Sequence, residues 1–146
     1  MSEPTLEEAV RAMLLTFTSV TDLVATRIRP EVLDRSDNPP ALLVQVDDEI
    51  LSDDLEGRGG LVTATVVIEA LHYTRLGSRQ LELAIRTNGT DPGTGLQGYR
   101  GLVGQFDIRG CTLARRKPFF VERETDEDRD WYGIACHYTI EYREIT

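Results

Sequence analysis

The sequence predicts an α+β fold: a single domain over residues 1–146, with a four-stranded, mainly antiparallel sheet covered on one face by two helices. Three observations carry this. Residues 131–143 alternate strictly. Tyr132, Ile134, Cys136, Tyr138, Ile140 and Tyr142 share one side, and Trp131, Gly133, Ala135, His137, Thr139, Glu141 and Arg143 share the other. That is the pattern of a strand with one side on a core. Leu6, Val10, Met13, Leu14 and Phe17 recur at spacings of three and four, which makes one apolar stripe of a helix. Finally, the elements run helix, strand, strand, helix, strand, strand. Neighbouring strands joined by hairpins favour antiparallel pairing with helices on one face. The length of 146 residues suits one domain.

Taken in order, Thr5 and Glu8 fit a capping box ahead of the first helix. A short helical turn spans Val20 to Val24, capped by Thr21 or Asp22, and Arg29-Pro30 ends it. Asp37-Asn38-Pro39-Pro40 closes a polar loop and opens a strand over Ala41 to Val46. The acid-rich stretch from Asp47 to Gly60 reads as a mobile loop or a hairpin tip, because Gly57, Gly59 and Gly60 oppose a helix. Leu61 to Tyr73 is rich in Val, Thr and Ile and reads as a central strand, apolar on both sides. Leu76 to Thr87 is the second helix, with Ser78 as its N-cap, an apolar face of Leu81, Leu83, Ala84 and Ile85, and Asn88-Gly89 at its end. Six glycines between Asn88 and Gly104 mark a flexible loop with one irregular turn near Tyr99 to Val103. Gln105 to Glu122 is a strand kinked at Gly110, and the charged turn 123–130 leads to the final strand.

Composition narrows the function. Hydrophobic residues make up 40% and charged residues 28%, a globular profile. No apolar run approaches the roughly 20 residues of a membrane span. The acidic start lacks the marks of a secretory signal, so a reducing cytoplasm is the expected compartment. A formal net charge of -9 disfavours gripping a phosphate backbone, which needs Lys and Arg. Two cysteines make neither a disulfide framework nor, alone, a zinc site.

No catalytic, cofactor or metal site is expected. Cys136 and His137 are adjacent on a strand and point to opposite faces, so they cannot act as nucleophile and base. Cys111 and Cys136 read as buried structural thiols. His72 and His137 have no metal-ligand spacing around them, and the acid clusters at 47–56 and 122–130 lack calcium-loop spacing. The charged runs instead suggest docking. Asp47, Asp48, Glu49, Asp53, Asp54 and Glu56 form an acidic set, and Arg115, Arg116 and Lys117 are a basic run that could meet it on a neighbouring copy. Trp131, on the mixed side of the last strand, joins this candidate interface. The two-sided strand 61–73 has too few helices to cover it, and a second subunit is the simplest cover.

The helix with Leu6-Glu7-Glu8-Ala9-Val10, the run Thr21 to Pro30, the proline-led strand Pro39 to Val46, the strand Thr63 to Tyr73, the helix Arg79 to Arg86 and the closing Tyr138-Thr139-Ile140-Glu141-Tyr142 together resemble the tail-completion, or tail-terminator, family of long-tailed bacteriophages and prophages. The resemblance implies a structural virion protein of the tail or neck, assembled in the host bacterial cytoplasm. Six copies would form a ring that ends the tail tube, meeting tail tube protein and head–tail connector proteins. DNA would pass through without specific binding. It implies no catalysis and no membrane partner. A neck or head-closure component of similar fold, and a small ligand-binding module, remain alternatives.

Overall fold

Thr5 starts the first helix as its side chain dictates. Its hydroxyl accepts the Glu8 amide at 3.2 Å, and α1 runs Leu6–Leu15. The computed structural model describes residues 5–30, 38–51, 61–88, 94–122 and 130–144. The stripe residues Leu6, Val10, Met13 and Leu14 are all buried, as is Phe17 after them. A second helix, α2 (Thr18–Val24), follows at once. Its N-cap is Phe17, with no side-chain hydrogen bond, rather than Thr21 or Asp22.

The chain then departs from expectation. Ile28–Pro30 forms a short strand, β1, that runs parallel to β2 (Ala41–Leu51) and pairs Ile28 with Leu42. β2 pairs antiparallel with β3 (Leu61–His72), from Ala41 opposite Leu71 to Leu51 opposite Val62. So Asp47 to Leu51, expected in a loop, are strand. The next helix, α3, spans Arg75–Thr87, capped by Thr74, whose hydroxyl accepts the Gly77 amide at 2.9 Å. Ser78 is not the cap; it is buried and donates to the Arg75 carbonyl at 2.8 Å. Asn88 ends α3 in the left-handed region at φ 48°, as expected. β4 (Gly101–Val103) pairs with the start of β5 (Phe106–Val121), where only an irregular turn was expected. β6 (Trp131–Glu144) lies between β5 and β3.

Among the described residues the sheet therefore has six strands, in the order β1-β2-β3-β6-β5-β4, and is mixed and curled, with three helices. This corrects the expected four antiparallel strands and two helices. The two added strands have three residues each, and the short helical turn expected near Val20 is the third helix, α2. A three-residue segment carries no readable period, and a parallel partner such as β2 is set by tertiary contacts.

One face of the sheet meets the helices. Rows such as Val44, Ile68 and Cys136, or Val66 and Tyr138, are fully buried with Val10, Leu14, Leu81 and Ile85. The alternation of β6 is borne out from Ile134 to Tyr142, while Tyr132 at its start is half-buried. On the opposite face Thr63, Thr65, Val67 and Glu69 stay half-exposed, and only Leu71 of β3 is buried there.

β5 carries two register shifts against β6, between Ile108 and Gly110 and between Leu113 and Arg115. The first coincides with the kink expected at Gly110. The second flips the order of faces beyond it. It brings Arg116, rather than Arg115, opposite Cys136 and onto the helix side.

Candidate interaction surfaces

Glu82 lies on the inward side of α3 and is only 3% exposed. Burying a carboxylate is costly unless charged donors meet it. Here Arg86 Nε donates to Oε1 at 2.8 Å, and Arg86 Nη2 and Arg116 Nη1 each donate to Oε2 at 3.4 Å. The hydrogen bond with Glu82 raises the already high pKa of Arg86, which keeps it charged. Arg116 reaches this point because the second bulge of β5 turns it inward. Arg79, Leu83, Pro118 and Ile134 complete an open groove of about 420 Å³ between α3 and β5. Two guanidinium groups share one carboxylate, so the groove keeps an excess of positive charge, to which Arg79 adds. A smaller depression lined by Leu113, Ala114 and Arg115 continues it along β5.

The expected acidic set lies elsewhere. Asp47, Asp48 and Glu49 are exposed in the last part of β2, followed by Ile50 and Leu51, which are 62% and 70% exposed. A register shift between Val46 and Asp48 leaves Asp47 as the extra residue of a bulge. Glu49 accepts the Tyr142 hydroxyl at 3.4 Å, and burial pushes the Tyr142 phenol well above its usual range. Asp53, Asp54 and Glu56 lie outside the described residues.

Arg115, Arg116 and Lys117 are exposed in β5. Between β2 and β5 stand β3 and β6, so the acidic and basic runs occupy opposite flanks of the sheet. At roughly 4.8 Å per strand spacing they are about 14 Å apart across the strands alone. They do not meet within one chain. Trp131 is half-buried at the start of β6, opposite Val121.

Two arrangements escaped sequence reasoning. One is Glu82, whose i,i+4 spacing to Arg86 is the signal that could have marked it. The other is a corner where α3 begins. The Arg75 guanidinium sits 5.1 Å from the Tyr132 ring centroid and donates to the carbonyls of Gly133 at 3.2 Å and Phe119 at 3.4 Å. Phe120 and Tyr132 meet at a tilt of 58°, with ring centroids 5.2 Å apart. His72 closes against Gly77, where any Cβ would overlap its ring. This corner ties the helix start to the far ends of β5 and β6.

The thiols of Cys111 and Cys136 are buried, and burial pushes both up to about 12. They are not opposite each other: Cys111 faces Ile140 and Cys136 faces Arg116. The Tyr138 hydroxyl, also buried, has no hydrogen-bond partner among the described residues. Among those residues no group of three or more His, Cys, Asp and Glu side chains is placed to hold a metal ion. No described helix is long and apolar enough to cross a membrane.

No family model matches the chain, and no curated protein is significantly similar to it. Solved structures do match. One is a chain of the virion of a native gene transfer agent particle, with a TM-score of 0.63 over 94% of this chain and 94% of that one, at 16% identity. At that identity the likeness is one of fold.

Proposed function

We propose that this chain is a structural protein of a phage-like virion, and that it acts as a tail terminator: a ring of six copies that ends the tail tube and joins it to the head connector. The fold shared over 94% of both chains with a component of a gene transfer agent virion carries this reading. The molecule suits the task. Its sheet is a wall with helices on one side, while the other side and both charged flanks stay available to neighbours. A net charge of -9 suits a conduit, since a wall that neutralised many phosphates would hold DNA instead of passing it. In this role the chain catalyses nothing and needs no cofactor, and its place is the tail or neck of the particle.

The test is light scattering and negative-stain imaging of the purified chain, alone and with tail tubes. Rings that cap tubes are the expected result. A strict monomer in both settings would count against the proposal. The virion likeness fits a head-closure component equally well, because it concerns a whole particle. Co-sedimentation decides: binding to tail tubes favours the terminator, and binding only to DNA-filled heads favours the neck component.

A further inference from the structure

The acidic end of β2 and the arginine groove are complementary in two respects. Asp47 and Asp48 supply negative charge and Ile50 and Leu51 supply exposed apolar surface, all at the exposed end of one strand. The groove offers Arg79, Arg86 and Arg116 around one buried carboxylate, with Leu83 and Pro118 as its apolar walls. Leu83 is itself 47% exposed, so its side chain is open to a partner. The two features lie on opposite flanks of the same sheet, so neither can satisfy the other within one chain.

We propose that residues 47–51 of one copy dock into the α3–β5 groove of a second copy. The occupant is a second copy because this chain carries its own match: a surplus of acid overall, and an acidic, apolar-tipped strand that fits a basic, apolar-walled groove. Two different surfaces on opposite flanks make a heterologous contact. Repeated head to tail, such a contact closes into a ring or runs on as a filament. The inference rests on the ring reading and names the contact that would build it. Glu82 has a defined part in it. By holding Arg86 and Arg116 from beneath, it fixes their guanidinium groups toward the groove before the partner arrives, so less ordering is needed on binding.

The test is sedimentation velocity of the full chain across a concentration series, with charge reversals at two exposed positions, Arg79→Glu and Asp48→Arg. Neither residue belongs to the Glu82 cluster, and thermal melts verify that each variant folds. Each single reversal should weaken self-association at least fivefold, and the double variant should recover most of the loss because the pair is restored with opposite sign. If wild-type protein associates and neither reversal alters it, the contact is overturned while the ring reading stands on some other surface. If wild-type protein is monomeric at every concentration, this contact is overturned, while the ring reading stands or falls on the experiment with tail tubes. A short DNA duplex added at low salt gives the remaining arm. If Arg79→Glu abolishes DNA binding and leaves self-association intact, the groove serves phosphate and the proposal is wrong.

Discussion

Phe119 lies against Gly133 across the β5–β6 ladder, so closely that a Cβ at residue 133 would overlap its ring. The two are directly paired in register, and the ring takes the space that a side chain would fill. Gly133 is buried as a result, although it sits on the face of the sheet away from the helices. Ala41 and Leu71, in the same row, are buried there too.

Gly133→Ala should therefore destabilise the protein by about 1–3 kcal/mol, the usual cost of overpacking. In a Phe119→Ala background the same change should cost much less, because the overlapping ring is gone. A double-mutant cycle in urea reads the coupling. Equal costs in both backgrounds would place the Phe119 ring somewhere else.

Glu82 gives a second prediction. Glu82→Ala removes the partner of two arginines, but their side chains are 32% and 54% exposed and can turn to water. The loss should be about 1–3 kcal/mol, below that of a fully buried pair broken on one side. Arg116→Ala should cost under about 1 kcal/mol, since Arg86 still serves the carboxylate and an exposed pair contributes little. Denaturant melts of the two variants should keep that order.

Much of this architecture is legible in the sequence wherever a period is long enough to read. β6 shows thirteen alternating residues, α1 a capping box and a stripe, and Asn88 a helix end, and all three are where the pattern puts them. β1 and β4 have three residues each, too few for any period, and β1 finds a parallel partner only in the folded sheet. Asp47 to Leu51 were misread because acids near glycines signal a loop. Their strand exists through pairing with residues 62–65 of β3 rather than through local preference. The basic run was legible as charge, but not its division into an inward Arg116 and an outward Arg115. That division depends on a bulge which no residue type announces.

Tyr138→Phe should leave stability unchanged or raise it by up to about 1 kcal/mol. The hydroxyl is buried and has no hydrogen-bond partner among the described residues, so its removal deletes a desolvation cost without breaking a bond. The ring keeps its packing. A loss of more than about 1 kcal/mol in urea melts would mean that the hydroxyl is bonded.

Ile140→Ala should cost about 2–5 kcal/mol, the range for an isoleucine emptied from a core that cannot collapse around the gap. Ile140 is fully buried on the helix side, paired with Ala64 on one flank and Cys111 on the other. Both neighbours are small, so the cavity has few long side chains able to swing in. A cost below 1 kcal/mol would reverse the assignment of faces for β6.

The two buried cysteines predict how stability changes in alkali. In the unfolded chain a thiol ionises near about 8.5. In the fold, burial holds Cys111 and Cys136 protonated up to about 12. Between those values the folded state keeps protons that the unfolded state has lost, so stability falls as pH rises. The contribution is whole below about 8.5 and is lost progressively toward 12. Tyr138, raised by the same burial, adds to the decline above its ordinary value near 10. The urea midpoint should thus drop between pH 8 and pH 10, and a Cys111→Ala, Cys136→Ala double variant should show a flatter slope over that interval, where the tyrosine contributes little. Thiolate is the reactive form, so a disulfide reagent at pH 8 should label neither thiol in the native protein and both after unfolding. Rapid labelling of native protein, or an unchanged slope in the double variant, would show that these thiols are not held as the structure places them.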